Sequence, residues 1–218
     1  MTPDRFFSQA DLDAVQAAVR EAEERTSGEI VPYVVERSDD YPTAVWKGAA
    51  LGALLFPMAA LALYRWSSLW GLHLGYWIAL PAPLGAAVGY LLSDWLPPVR
   101  RWMAGEPVLE SRARRRAAVA FVDQEVFRTR DRTGILLFLS LFERRVVLLA
   151  DTGIHQKVEA GKWEEITRRL ADGIRQGRPG PALVEAIRAC GEVLEQHGVE
   201  RRQDDTDELP NELRRGTD

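Results

Sequence analysis

The chain has 218 residues, with 28 Lys and Arg against 32 Asp and Glu, a net charge of −4 and a single cysteine. One thiol excludes a disulfide framework and a multi-cysteine zinc or iron–sulfur site, and the slight acidity argues against nucleic acid as a partner. Between Ala44 and Pro98 the only charged residues are Lys47, Arg65 and Asp94. This uneven composition predicts a membrane insert inside a polar protein and excludes one uniformly soluble globule.

The first predicted elements are a helix and a strand. Ser8 precedes an amphipathic run at Asp11–Arg25 and is placed to act as its N-cap, and Gly28 ends the helix. Glu29–Glu36 (EIVPYVVE) is short and rich in β-branched residues, which is typical of a strand. Pro32 within it favours a sheet edge or the start of a strand.

Two apolar stretches follow. Gly48–Tyr64 is uncharged and would form a helix about 26 Å long, close to the hydrocarbon thickness of a bilayer. Trp66–Ser93 is also uncharged, and its most apolar part, about Gly75–Trp95, is long enough for a second crossing. A signal peptide would lie at the N-terminus, and a buried core hairpin would show one polar face per helix. Aromatic residues bracket both stretches, as they do at membrane interfaces: Trp46, Tyr64, Trp66, Trp70, Tyr76, Tyr90 and Trp95.

Each apolar stretch carries a pair of glycines four residues apart, Gly48 with Gly52 and Gly85 with Gly89. This spacing places both glycines on one helix face, where two backbones can approach closely. The pattern suits a tight hairpin within one chain or, equally, a homodimer.

The flanking charges predict the orientation. The turn at about 65–74 holds a single arginine, whereas basic residues flank the two stretches on the other side. By the positive-inside rule both termini are cytoplasmic and the turn is outside, which predicts a protein of the bacterial inner membrane. The flanking basic residues are Lys47, Arg100, Arg101, Arg112, Arg114, Arg115 and Arg116. The last four could also contact anionic lipids.

The remaining sequence predicts one helix, a strand hairpin and two further helices. Val108–Arg128 is amphipathic, Ile135–Leu141 is an almost wholly apolar strand, and Arg145–Ala150 follows it after a short turn. The last two helices are Trp163–Gln176 and Pro181–His197. Cys190 lies on the apolar stripe of the last helix and is expected in the core.

Together these elements predict an α/β fold, with a small mixed sheet sandwiched between helices and interrupted by a two-helix transmembrane hairpin. The first two strands are joined through a helix, so parallel pairing is expected. The predicted organisation is 1–43 as the first part of a cytoplasmic domain, 44–98 as the hairpin, and 99–199 as the rest of that domain. Residues 200–218 form a charged tail that is expected to be disordered.

Familiar catalytic signatures are absent, since the chain has no GxSxG, HExxH or GxGxxG motif. Gly153–Trp163 has the wrong spacing for a phosphate loop. The acidic cluster Asp204, Asp205, Asp207 and Glu208 lacks the central glycine of a calcium loop.

Geometry suggests one candidate site. With parallel strands after Gly28 and Gly134, several polar residues converge at one sheet edge, namely Thr26, Ser27, Glu29, Arg132, Thr133 and Asp151. Glu29 and Asp151 are candidate ligands for a hard cation, calcium or magnesium, and Asp151 is the candidate catalytic residue. The alternative is that Asp151 caps the Thr152–Gly153 turn and Glu29 is an exposed strand-end charge.

Two further groups of polar residues are given structural roles. His155 lies near the same edge and is expected to be structural or exposed. Glu143, Arg144 and Arg145 are expected to form a solvated hairpin tip at the opposite edge.

Three segments resemble the TPM domain family: Glu24–Glu36, Thr133–Ile154 and Asp204–Leu213. The resemblance covers roughly residues 8–36 and 106–213. It implies a helix–sheet–helix sandwich, often tethered to a membrane, and some plant members are acid phosphatases with a bound divalent cation. Gly153 matches the family pattern, whereas Ala150 and Asp151 stand where many members have Val-Gly.

Two functions are therefore predicted. The first is a non-enzymatic accessory protein at the cytoplasmic face of the membrane, which binds the lipid bilayer and another protein. The second is a divalent-cation-dependent phosphatase or related hydrolase centred on Asp151. A channel or transporter is disfavoured because neither span carries a buried ionisable residue.

Overall fold

The computed structural model describes residues 6–66, 75–155, 157–197, 199 and 209–216, without the side chains of His155 and Ala160. The chain forms two compact units. One unit combines Met1–Ser38 with Glu110–Asp218, and the other is Asp39–Leu109. The second unit therefore interrupts the first along the chain.

The first unit contains a four-stranded mixed sheet in the order β3-β2-β1-β4. Its strands are β1 (Ile30–Val35), β2 (Ile135–Ser140), β3 (Arg145–Ala150) and β4 (Arg214–Gly216). β1 and β2 are parallel, with Ile30 opposite Ile135, and β2 and β3 form an antiparallel hairpin. The mixed α/β fold and both of these pairings are confirmed.

Strand β4 corrects the prediction of a disordered tail. Arg214–Gly216 pairs in parallel with Tyr33–Val35, and the Arg214 guanidinium donates hydrogen bonds to the Gln124 carbonyl and side-chain oxygens at 3.0 and 3.1 Å. A three-residue strand with two arginines has no apolar pattern that a sequence reading could detect. Residues 200–208, including the acidic cluster, lie outside the described part of the chain.

Pro32 lies in an interior strand, so the expected edge position is wrong. β1 is between β2 and β4, and every second residue of β1 directs its N–H towards β4. Pro32 is one of these residues, but β4 begins opposite Tyr33, one residue further along. The missing N–H therefore costs the sheet no ladder hydrogen bond.

The helices are α1 (Gln9–Glu23), α2 (Pro42–Trp66), α3 (Tyr76–Ala79), α4 (Pro81–Trp95), α5 (Pro97–Ala104), α6 (Glu106–Asp123), α7 (Thr152–His155), α8 (Ala160–Arg175) and α9 (Pro179–Gln196). The predicted cap of α1 is confirmed as a capping box, in which Ser8 and Asp11 bond each other's backbone N–H.

Helices cover both faces of the sheet, as predicted. On one face, residues of α1, α8 and α9 pack on alternate strand residues such as Ile135 and Leu137. On the other face, Ala117 and Ala120 of α6 pack on Leu136 and Phe138. All six residues of β2 are buried, which confirms it as a central strand.

Cys190 is completely buried in the first of these cores. Burial raises the pKa of its thiol to about 12, because the thiolate would lose its hydration. The residue is therefore a core side chain, as the sequence predicted, and at neutral pH it is not poised to act as a nucleophile.

In the second unit α2 and α4 lie against each other along their glycines. A side chain on Gly52 would overlap the carbonyl of Gly85, and one on Gly89 would overlap the carbonyl of Gly48. Trp46 packs edge-on against Tyr90, with 5.7 Å between the ring centroids. The four glycines are thus used for contact within the chain, and a dimer built on the same faces would require the two helices to separate.

Arg100 neutralises the end of α4. Its Nε donates to the Ser93 carbonyl at 3.1 Å, and its Nη2 donates to the carbonyl of Asp94 and pairs with the Asp94 carboxylate at 2.6 Å. These contacts satisfy carbonyls that have no partner within the helix and place a cation at its negative end.

Candidate functional site

Asp151 lies at the end of β3 and is buried, with 4% of its surface exposed. Its backbone N–H donates to the Gly134 carbonyl at 2.9 Å and extends the β2–β3 ladder by one pair. Its Oδ1 accepts a hydrogen bond from the Thr152 N–H at 2.6 Å and another from the Thr152 hydroxyl at 3.3 Å. The structure therefore gives Asp151 the capping role that the sequence left as an alternative.

Arg132 supplies the charge that balances Asp151. Its Nε lies 3.1 Å from Asp151 Oδ2, and its Nη1 donates to the Phe127 carbonyl at 3.1 Å. The guanidinium also lies 5.7 Å from the centre of the Phe127 ring. Oδ2 accepts no hydrogen bond from the described residues, so Asp151 and Arg132 interact as an ion pair.

Two glycines allow the loops at this edge to interlock. The Gly153 N–H donates to the Arg132 carbonyl at 3.0 Å, and a side chain on Gly153 would overlap the carbonyls of Asp131 and Arg132. A side chain on Gly134 would likewise overlap the Val126 carbonyl. The sequence marks Gly134 as the start of a strand and Gly153 as part of a turn. Only the fold shows that neighbouring backbone occupies the space where their side chains would lie.

Glu29 is also buried, with 6% exposed, so the alternative that it is an exposed strand-end charge is wrong. Its backbone is two strands away from Asp151, about 10 Å at the usual strand spacing. The Val126 carbonyl lies over Gly134, at the start of the strand between Glu29 and Asp151. Burial lowers the pKa of Arg214, whereas the charge of Glu29 raises it, so Glu29 lies within electrostatic reach of that arginine.

The predicted constellation is therefore only partly brought together. Arg132, Thr133 and Asp151 lie at one edge, where the Thr133 hydroxyl donates to the Ser27 carbonyl at 2.8 Å. Glu29 and Asp151 each have an arginine nearby, an arrangement that does not fit one cation shared between them. The described residues contain no group of three His, Cys, Asp or Glu side chains placed to hold a metal ion. Calcium or magnesium at Asp151 stays a prediction.

The β2–β3 turn contains a third buried carboxylate, which the sequence placed at a solvated tip. Glu143 is 1% exposed. It accepts hydrogen bonds from the Ser140 hydroxyl and, at 2.8 Å, from the Ser38 N–H. The Ser38 hydroxyl also donates to Ser140 Oγ at 2.9 Å. Glu143 therefore joins the hairpin to the chain just after β1, while Arg144 beside it is exposed.

A cavity of about 420 Å³ lies along β3, and Asp151 is not among the residues that line it. α6 contributes Glu110, Ala113 and Arg114 to its lining, and α8 contributes Trp163, Glu164 and Thr167. All six residues of β3 also line it. The buried indole N–H of Trp163 makes no hydrogen bond with the described residues.

A second cavity, of about 370 Å³, continues along the start of β3. It is lined there by Arg144, Arg145 and Val146, and by Ala171, Ile174 and Arg175 near the end of α8. α8 therefore runs antiparallel to β3, and the two cavities follow one another along the strand. We call this pair of cavities the β3 groove.

The sheet order and the helices on both faces define the chain as a mixed α/β protein with a small four-stranded sheet. It is similar in fold to the NMR structure of the BA42 protein from the psychrophilic bacterium Bizionia argentinensis sp. nov., with a TM-score of 0.60. The two chains are 18% identical, and the similarity covers 99% of each. No family model and no curated protein matches the sequence.

Proposed function

We propose that this protein is a membrane-anchored, non-enzymatic accessory protein of the TPM type, which binds a partner protein at the cytoplasmic face of the bacterial inner membrane. The observation that carries the proposal is an open groove on an α/β domain whose chain is interrupted by two apolar helices.

The anchor is supported by apolar side chains on the outside of the second unit. The helical segments Pro42–Trp66 and Tyr76–Trp95 are long and apolar enough to cross a membrane. Leu63 and Leu84 are 63% and 59% exposed, and Leu54, Met58 and Leu92 are exposed as well. A core helix of a soluble domain would bury these side chains, whereas in a bilayer they would face lipid.

The orientation rests on charge and predicts a labelling pattern. Trp66 is 93% exposed and Gln9 is exposed, so cysteines at these positions can react. In intact cells a membrane-impermeant maleimide should label Trp66→Cys, whereas Gln9→Cys should react only after the cells are permeabilised. The reverse pattern, or labelling of both variants in intact cells, would show that the proposed topology is wrong.

Partner binding is supported by the position of the β3 groove, because a long open surface along an edge strand suits a polypeptide better than a small metabolite. The test is photo-crosslinking of the full chain in cells, with benzoylphenylalanine in place of Glu164 on the groove. A matched position, Arg168, lies on the same helix, is exposed and does not line the groove. A discrete adduct from position 164 but not from 168 is expected, and no adduct from either position would contradict partner binding.

A hydrolase centred on Asp151 is the second candidate, because Oδ2 of this buried carboxylate accepts no hydrogen bond from the described residues. The full chain is assayed with an aryl phosphate in calcium or magnesium. Under the accessory function, any hydrolysis should be equal in the wild type and in Asp151→Asn, since the amide keeps the cap on Thr152. A loss of about a hundredfold in Asp151→Asn alone, with Arg144→Ala unchanged, would instead favour the hydrolase.

A further inference from the structure

We propose that the β3 groove binds an extended segment of a partner protein as a fifth strand, antiparallel to β3, with a carboxylate at the C-terminal end of that segment facing the arginines at the start of β3. The inference rests on the proposed function and specifies the partner surface. Four features of the groove support it: backbone N–H and C=O groups of β3 that face away from β2, flanking helices, apolar side chains, and charged residues that differ between the two ends.

The open backbone groups belong to every second residue of β3. The Asp151 N–H bonds to β2, so in an antiparallel pair Leu149 and Val147 also direct their backbone groups towards β2. Val146, Leu148 and Ala150 therefore direct their N–H and C=O groups into the groove. Three donors and three acceptors at a spacing of about 7 Å match the backbone of one added strand.

The flanking helices determine what can occupy the groove. Residues of α6 line one side and residues of α8 line the other, so both helices flank the free edge of β3. A second copy of the domain would bring its own α6 and α8 against them if its β3 paired with this β3. A single extended segment fits between the helices without that collision, and we therefore assign the groove to a peptide segment.

The side chains of β3 lack the features that protect free edge strands. Val146 and Leu148 pack towards one core and Val147 and Leu149 towards the other, yet all remain partly exposed. Natural edge strands are commonly blocked by a lysine, a proline or a bulge, and Val146–Ala150 contains neither residue and pairs with β2 without a bulge. This apolar edge favours a segment with apolar side chains at alternate positions.

The charges give the groove a direction. Arg144, Arg145 and Arg175 line the end at which β3 begins, and Arg144 is exposed. Glu164 lines the part of the groove near the start of α8, at the opposite end. A segment antiparallel to β3 finishes beside the arginines, so a C-terminal carboxylate or a terminal acidic side chain would meet them.

The test uses the full chain in lipid nanodiscs and a fluorescent octapeptide of alternating valine and threonine that ends in aspartate with a free carboxylate. Its counterpart ends in asparagine amide. The acidic peptide should bind about fivefold more tightly than the amide, and Arg144→Glu should remove most of this difference. Absence of binding up to about 1 mM, the weak limit for such contacts, would overturn the inference.

Hydrogen exchange of single amides reports whether the peptide is added as a strand. Exchange at Val146, Leu148 and Ala150 should slow by about tenfold or more when the peptide is bound. Val147 and Leu149 already bond to β2 and should change little. Protection of Val147 and Leu149 alone, or equal protection of all five amides, would contradict strand addition.

A blocking variant separates this inference from the function on which it rests. Thr167→Trp fills the groove and should weaken peptide binding about tenfold, whereas Arg168→Trp, on the same helix outside the groove, should bind as the wild type does. If the peptide binds equally to both variants, the strand-addition mode is wrong. If the adduct formed at position 164 in cells also persists in Thr167→Trp, partner binding stands while this mode of binding fails.

Discussion

Replacing Gly52 with leucine should force the two long helices apart and lower the free energy of unfolding of the full chain by about 3 kcal/mol. Even the first side-chain atom at this position would overlap the Gly85 carbonyl, which is backbone and cannot move aside alone. The helices must therefore separate along their length, and the close carbonyl contacts between their glycines would be lost. Gly85→Leu should have a similar effect, because its side chain would overlap the Gly52 carbonyl.

The measurement is thermal or chemical unfolding of the variants in the same detergent, followed by tryptophan fluorescence. Gly75→Leu is the matched control, because this glycine precedes α3 and none of the described residues lies within 4 Å of its added side-chain position. The control should differ from the wild type by less than about 0.5 kcal/mol. Equal stability of Gly52→Leu and Gly75→Leu would show that the helices do not pack through their glycines.

The same comparison decides between the two uses of the glycines that the sequence left open. If the glycines joined two chains, Gly52→Leu would convert a dimer into a monomer whose hairpin is intact. With the contacts seen here, it should instead disturb the monomer. The mass of the protein in its detergent complex is therefore measured together with its unfolding. This mass should be the same for the wild type and for Gly52→Leu.

The sequence predicts the elements with strong periodicity and misses those that depend on a single contact. β2 is recognisable because all its residues are apolar, and α1 because Ser8 precedes an amphipathic run. Arg214–Gly216 has no such pattern, and it becomes a strand because β1 offers an open edge and Gln124 accepts the Arg214 guanidinium. Tertiary contacts decide its conformation, and a local pattern cannot report them.

The candidate site was predictable in position and not in chemistry. Parallel pairing of β1 and β2 brings the loops around Arg132 and Asp151 to one edge, as strand order requires. The chemistry depends on the partners of the two Asp151 carboxylate oxygens. Oδ2 lies beside the Arg132 side chain, and Oδ1 accepts a hydrogen bond from the Thr152 N–H. The β3 groove was missed for a different reason, because an edge strand and a central strand can have the same apolar sequence.

Glu143→Ala should lower the free energy of unfolding by about 2–4 kcal/mol, the second large effect expected in this chain. The substitution leaves the partly buried Ser38 N–H and the buried Ser140 hydroxyl without their carboxylate acceptor. Because Glu143 is only 1% exposed, water cannot replace it without opening the turn. Glu143→Gln keeps the shape and one acceptor oxygen, so it should cost less, about 1 kcal/mol.

Arg144→Ala is the control, since Arg144 is adjacent and exposed and should change stability by less than about 0.5 kcal/mol. Hydrogen exchange then shows where the structure is weakened. In Glu143→Ala the amides of Val147 and Leu149, which bond to β2, should exchange faster, because the turn no longer holds the start of β3 in place. If Glu143→Ala matched Arg144→Ala in both measurements, the carboxylate would contribute nothing to the hairpin. The edge strand that borders the groove would then be held by its hydrogen bonds to β2 and its apolar contacts.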